Sequence, residues 1–185
     1  MNEIQSALLR VLPFIMVLIG VSIGVKRKRL RFAELDLKKP ESIGRYLVWT
    51  FGFLVFILAV EFSLSGLGLL EIDKWNHTFL PSIIRITGAV ILAPFAEEII
   101  FRGLILNLLN KKIKNIHAAI LIQAVLFVLL HSFTYENTVS SNFGIAQSFI
   151  DATLFGYARI HTKSLYTPIT MHMTGNLIAT LERFI

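Results

Sequence analysis

Glu97, Glu98 and Arg102 lie in the stretch Ala93-Pro94-Phe95-Ala96-Glu97-Glu98-Ile99-Ile100-Phe101-Arg102-Gly103, inside an otherwise apolar run from about Ser82 to Leu109. Charges at the centre of such a run cost on the order of 2.5–3.5 kcal/mol each on an insertion scale, so they must be paired, hydrated or used in chemistry. Helical spacing divides them. Glu98 and Arg102 are four residues apart and share a face, which predicts a buried ion pair, whereas Glu97 points ~100° away and is left free for chemistry. The alternative is that all three tie neighbouring helices together as one ion-pair knot.

Further along, Phe127 and His131 share one helical face, and His172 and Asn176 share another. A single histidine facing an apolar interior is usually a satisfied core residue. Two histidines, a glutamate and an asparagine on three separate apolar runs suggest a polar site instead. Glu61 and Asp151 are further acids within apolar runs; Glu61 has no companion in sequence and is expected to be a packing or interfacial residue.

The elements that would hold these groups are transmembrane helices. Of the 185 residues, 55% are hydrophobic, and mean hydropathy is positive, which is too apolar for an ordinary soluble domain. The chain has no cysteine, so disulfides, thiolate metal sites and a cysteine nucleophile are excluded. The net charge of +6 does not signal nucleic-acid binding, because Lys and Arg cluster in short segments between apolar runs, as topology signals do.

Apolar runs are expected at about Ala7–Val25, Tyr46–Leu70, Ser82–Leu109, Ile116–Phe133, Phe143–Ile160 and Leu165–Phe184. Lys26-Arg27-Lys28-Arg29 follows the first run rather than preceding it, so a retained helix is expected there rather than a cleaved signal. Basic residues at 26–29, 31, 38, 39, 45, 111, 112, 114, 159 and 163 predict a cytoplasmic side, with both termini outside. Pro94 predicts a kink just ahead of Glu97. The fold class is therefore all-α: a polytopic transmembrane helical bundle of about six spans. Residues 1–81 form two N-terminal helices with a basic cytoplasmic loop, and residues 82–185 form a four-helix core. At ~1.5 Å per residue from the cytoplasmic boundaries, Glu97 lies ~18 Å deep, His131 ~22 Å, His172 ~10 Å and Asn176 ~17 Å, a single mid-membrane layer.

With these residues the chain resembles the CPBP family of CAAX prenyl proteases and bacteriocin-processing peptidases, also called Abi. The family's motifs Glu-Glu-x-x-x-Arg, Phe-x-x-x-His and His-x-x-x-Asn or Asp match Glu97–Arg102, Phe127–His131 and His172–Asn176 in order. The likeness covers about Ser82 to Thr180; the first two runs carry no family motif.

The resemblance implies an intramembrane endopeptidase acting on a peptide or lipidated protein, in the cytoplasmic half of a multiply crossed bacterial cell membrane. Glu97 would be general base on a water that His131 helps orient, with His172 and Asn176 stabilising the oxyanion. Glu98 and Arg102 would be the structural ion pair. No cofactor is required on this reading, and the partners are the substrate and membrane lipid, with no nucleic acid. The family is also labelled metalloprotease, and zinc on Glu97, His131 and His172 is the alternative. The chain carries no His-Glu-x-x-His pair to prearrange a metal on one helix. Two other functions fit the same residues: a non-catalytic bacteriocin-immunity or scaffold protein, and a small proton-coupled transporter using Glu61, Glu97, Asp151 and the histidines.

Overall fold

The computed structural model describes residues 1–32, 34–69, 72–131, 135–136 and 138–184. Among these the secondary structure is helical: α1 (Glu3–Lys26), α2 (Ile43–Gly66), α3 (Phe79–Ile113), α4 (Ile116–Leu129), α5 (Val139–Thr162) and α6 (Tyr166–Glu182). The expected all-α bundle is the observed fold. The expected ends of the second and fourth apolar runs, Leu70 and Phe133, lie outside the described residues, as does Ile185.

Helices α1, α2 and α3 are long and apolar enough to cross a membrane, and α4 is a shorter apolar helix. Their large apolar side chains face outward, among them Leu9, Met16 and Ile19 on α1 and Val48, Phe51, Val55 and Phe62 on α2. Polar and charged groups are packed inside, including Glu61, Glu98, Arg102, Gln123 and His172. An apolar exterior around a polar interior is the arrangement that suits lipid as solvent. Local signals start the helices: Asn2 and Gln5 form a capping box on α1, Ser42 Oγ accepts from Arg45 N on α2, and Thr138 and Ser141 form a capping box on α5.

Small residues set the close packing, as expected where lipid removes the hydrophobic drive between helices. Ala119, Ala124, Ala152 and Gly156 bring α4 against α5, and a Cβ on Gly156 would lie 2.9 Å from Ile120 Cγ2. Gly88 brings α3 onto α1, where a Cβ would meet Val11 Cγ2 at 2.4 Å. Helix α2 packs on α5 and α6 through Phe53, Ile57, Phe155, Ala158 and Met171.

Helix α3 contains two π-helical stretches, Gly88–Leu92 and Ile99–Ile105, on either side of the α-helical segment Ala93–Glu98. The first explains how Pro94 is tolerated. A proline ring clashes with the carbonyl four residues back, and a widened turn just before it relieves that clash, with Ala93 N–H bonding back to Gly88 O. Where a proline kink is expected from sequence, the chain has a π-turn.

The basic segment between α1 and α2 is fixed beneath the bundle. Asp36 Oδ2 and Asn107 Oδ1 both accept from Arg159 Nη2 at 2.7 Å, Asn107 Nδ2 donates to Glu34 O, and Leu165 N donates to Asp36 O. This corrects the charge map: Arg159 is 3% exposed and engaged by Asp36, so it is a structural cation rather than part of the surface charge of that side. At the other end, the Glu3 carboxylate accepts from Thr78 N–H and Oγ1–H and contacts His77 Nδ1, while Arg183 Nε donates to Asp73 O. The ends of the helices thus form two opposed layers.

Candidate active site

Arg102 is 0% exposed on α3, inside the second π-turn. Its Nη1 donates to Glu98 Oε1 at 2.8 Å and its Nη2 to Ala152 O at 3.1 Å. Its guanidinium carbon lies 4.7 Å from the Phe127 ring centroid and 5.2 Å from that of Phe155. Cation–π contact and charge-assisted hydrogen bonds compensate for the lost hydration of a buried guanidinium. The ion pair expected from the four-residue spacing is present.

Glu98, also 0% exposed, does more than pair with Arg102. The same Oε1 accepts from His172 Nδ1 at 2.9 Å, across 74 residues of sequence. The His172 ring stacks on Phe155 at 5.3 Å and 27°. A carboxylate acceptor at Nδ1 assigns the hydrogen to that nitrogen and directs Nε2 away from it. Nε2 lies 3.8 Å from Glu97 Oε2, beyond direct hydrogen bonding but within charge contact. A chain of polar groups, Arg102, Glu98, His172 and Glu97, therefore runs from the buried core to the cavity wall.

Asn176, one helical turn beyond His172 on α6, donates from Nδ2 to Ala89 O at 2.8 Å, a carbonyl in the first π-turn of α3. One of its two amide hydrogens is committed to that contact.

His131 departs from the helical expectation. Helix α4 ends at Leu129, and His131 follows the cap in a tighter turn, its N–H bonding to Val128 O. Its side chain folds back so that Nδ1 donates to Phe127 O at 2.9 Å, with the rings 4.7 Å apart. The Phe127–His131 contact expected of one helical face is therefore kept by a terminal turn rather than by helix.

Two cavities meet at this constellation, and His131 and Asn176 line both. The larger, about 700 Å³, contains Glu97 and extends to Trp75, Arg85 and Arg183 at the end opposite the basic 27–42 segment. If the basic segment faces the cytoplasm, this end of the cavity is the outer one. The smaller, about 260 Å³, is walled by His172, Glu61, Gln147, Ser148 and Asp151. Gln147 Nε2 donates to Glu61 Oε1 at 3.0 Å, and Asp151 Oδ1 is buried without a hydrogen-bond partner among the described residues. Glu61 and Asp151 are the site-lining residues that the motif spacing missed. Their signal in the sequence was an acid inside an apolar run; Glu61, 9% exposed and hydrogen-bonded to Gln147, is the packing residue expected and lies on a cavity wall.

Among the described residues, no three His, Cys, Asp or Glu side chains are grouped so as to hold a metal ion. Glu97, His131 and His172 are not gathered as a ligand set as arranged, and no step is derived through a metal.

A polar constellation enclosed by helices with apolar outer faces defines an integral membrane protein with a site between its helices. The matching family model is described as type II CAAX prenyl endopeptidase Rce1-like and covers residues 79–178. The chain belongs to that family, a group of CAAX-type intramembrane proteases. It is also similar to an uncharacterized 24.3 kDa protein of Escherichia coli, 31% identical over 100 residues, which are 54% of this chain and 44% of that protein. The chain thus matches less than half the length of this curated relative. No solved structure matches.

Proposed function

We propose that the protein is an intramembrane endopeptidase that hydrolyses a peptide or lipidated-protein substrate with Glu97 as general base. The observation that carries this reading is the position of Glu97: on the wall of the larger cavity, facing a histidine held by a second, fully buried glutamate.

Glu97 takes a proton from water, and the water oxygen bonds to the scissile carbonyl carbon as the π electrons move onto oxygen. With a hydrogen on each ring nitrogen, His172 is held at Nδ1 by Glu98 and donates from Nε2 to that oxyanion. The second amide hydrogen of Asn176 is the other donor. Collapse re-forms the carbonyl, breaks the C–N bond, and returns the proton from Glu97 to the leaving nitrogen. Donors fixed before the reaction, in a site shielded from water, act strongly on developing charge. Glu98 and Arg102 are positioning residues here: Arg102 holds Glu98, and Glu98 sets the His172 ring. His131, at the junction of the two cavities, is the residue suited to orienting the water.

The test compares membrane peptides from cells carrying the protein with those from cells carrying Glu97→Gln. The variant should reach the membrane folded and leave one or more peptides uncut. Identical peptide profiles, with both proteins expressed equally, would remove the hydrolytic reading. In that case Glu61 and Asp151 would favour the proton-coupled transporter, measured as flux in reconstituted vesicles.

A further inference from the structure

The larger cavity has a charge distribution that the hydrolytic reading does not use. Arg10 on α1, Arg85 on α3 and Arg183 just beyond α6 all line it, although they lie far apart in sequence. Among the described residues none of the three forms an ion pair. The Glu3 carboxylate in that layer is hydrogen-bonded to His77 and Thr78 and attracts Arg85 only at longer range.

Arg85 Nη2 donates to Ser6 Oγ, but its Nε is buried with no hydrogen-bond partner. Arg183 Nε donates to Asp73 O, and its guanidinium carbon lies 5.3 Å from the Trp75 ring centroid, so neither partner carries a full negative charge. Arg10 is exposed with its donors open. Three guanidinium groups converging on one cavity repel one another unless an anion joins them, and arginine donors suit a carboxylate in two-point contact. Val11 and Phe14 line the same cavity as an apolar wall on which a hydrophobic chain can lie.

We infer that the arginine-lined end of this cavity is an anion subsite that takes a carboxylate of the substrate peptide and thereby sets where Glu97 cuts. The inference rests on the hydrolytic reading for its second half only. Arg85 precedes Glu97 by twelve residues on the same helix. That separation is about 18 Å along the axis, a span of about five extended residues. The scissile bond therefore lies within about five residues of the negative charge. That charge is the C-terminal carboxylate or an acidic side chain, and the two are separated by the probes below.

The experiment uses the full chain with Glu97→Gln in neutral detergent micelles, so that bound peptide is not cut. The probe is a dansyl-labelled apolar peptide in three forms: free C-terminal acid, C-terminal amide, and amide with one internal glutamate. One or both acidic forms should bind about tenfold more tightly than the plain amide, the scale of one charge-assisted contact. Arg10→Gln and Arg183→Gln should each remove most of that preference and leave the affinity for the amide unchanged. Arg10→Lys should restore part of it.

Arg10 is exposed, so its replacement does not depend on the core refolding around a cavity. Equal affinities for the three forms, or no binding of any, overturns the subsite. So does a result in which the arginine variants alter binding of added phosphatidylglycerol and leave the peptides unaffected, since the occupant would then be a lipid headgroup. Failure of the membrane-peptide comparison above, with the arginine-dependent preference intact, would remove the hydrolytic reading and leave the subsite standing.

Discussion

Glu98 carries two contacts on one oxygen, Arg102 Nη1 at 2.8 Å and His172 Nδ1 at 2.9 Å, and this makes separable predictions. Arg102→Ala leaves a fully buried carboxylate without its cation, at an expected cost of roughly 3–5 kcal/mol, so folded yield and thermal stability in detergent should fall with activity. Replacing both partners, Glu98→Gln with Arg102→Met, removes the stranded charge and should recover most of the folded yield. Activity should stay low, because His172 has then lost the carboxylate that orients it. Recovery of activity along with stability would reduce Glu98 to an ion-pair partner. A second expectation at this scale concerns metal. Glu97, His131 and His172 are not gathered as a ligand set, so purified protein should hold far less than stoichiometric zinc and keep its activity after treatment with a membrane-accessible chelator. Stoichiometric zinc lost together with activity would reverse that.

At the scale of elements, the close approach of α1 to α3 places the first π-turn where Asn176 can reach its backbone. Gly88 lies in that turn, and a Cβ on it would overlap Val11 Cγ2 at 2.4 Å. Gly88→Ala should therefore destabilise the bundle by about 1–3 kcal/mol, the usual cost of overpacking. Val11→Ala in the same chain should recover most of the loss, as read from thermal unfolding in detergent. Absence of recovery would mean that the glycine is needed for backbone geometry rather than for space.

For the whole molecule, the helix ends form two layers, one closed by the 27–42 segment and the other carrying the mouth of the larger cavity. Even with Arg159 withdrawn as a buried ion-pair partner, the basic residues in and beside that segment favour a cytoplasmic location for it. The chain has no cysteine, so Ser42→Cys and Glu136→Cys each introduce a single thiol. An impermeant thiol reagent added to intact cells should label the cysteine at position 136 and spare the one at 42. The opposite pattern would invert the topology and place the mouth of the Glu97 cavity on the cytoplasmic side.

Helix period and apolar run length are local properties, so the sequence by itself determined the all-α class, the order of the helices and the Glu98–Arg102 pair. The same locality made Glu97 the unpaired acid of its run and brought the three motifs into view in order. Contacts between helices depend on how far each is rotated and shifted against its neighbours, and no periodicity records that. Two π-turns alter the register of α3 on either side of Glu97, and small residues at Gly88, Ala152 and Gly156 set how near the neighbouring helices come. Only the tertiary structure therefore decided that His172 hangs from Glu98, that Asn176 reaches Ala89, that Arg159 is buried against Asp36, and that Glu61 and Asp151 face a cavity. The convergence of Arg10, Arg85 and Arg183 belongs to the same class, because it joins ends of three helices whose charges look in sequence like scattered topology signals.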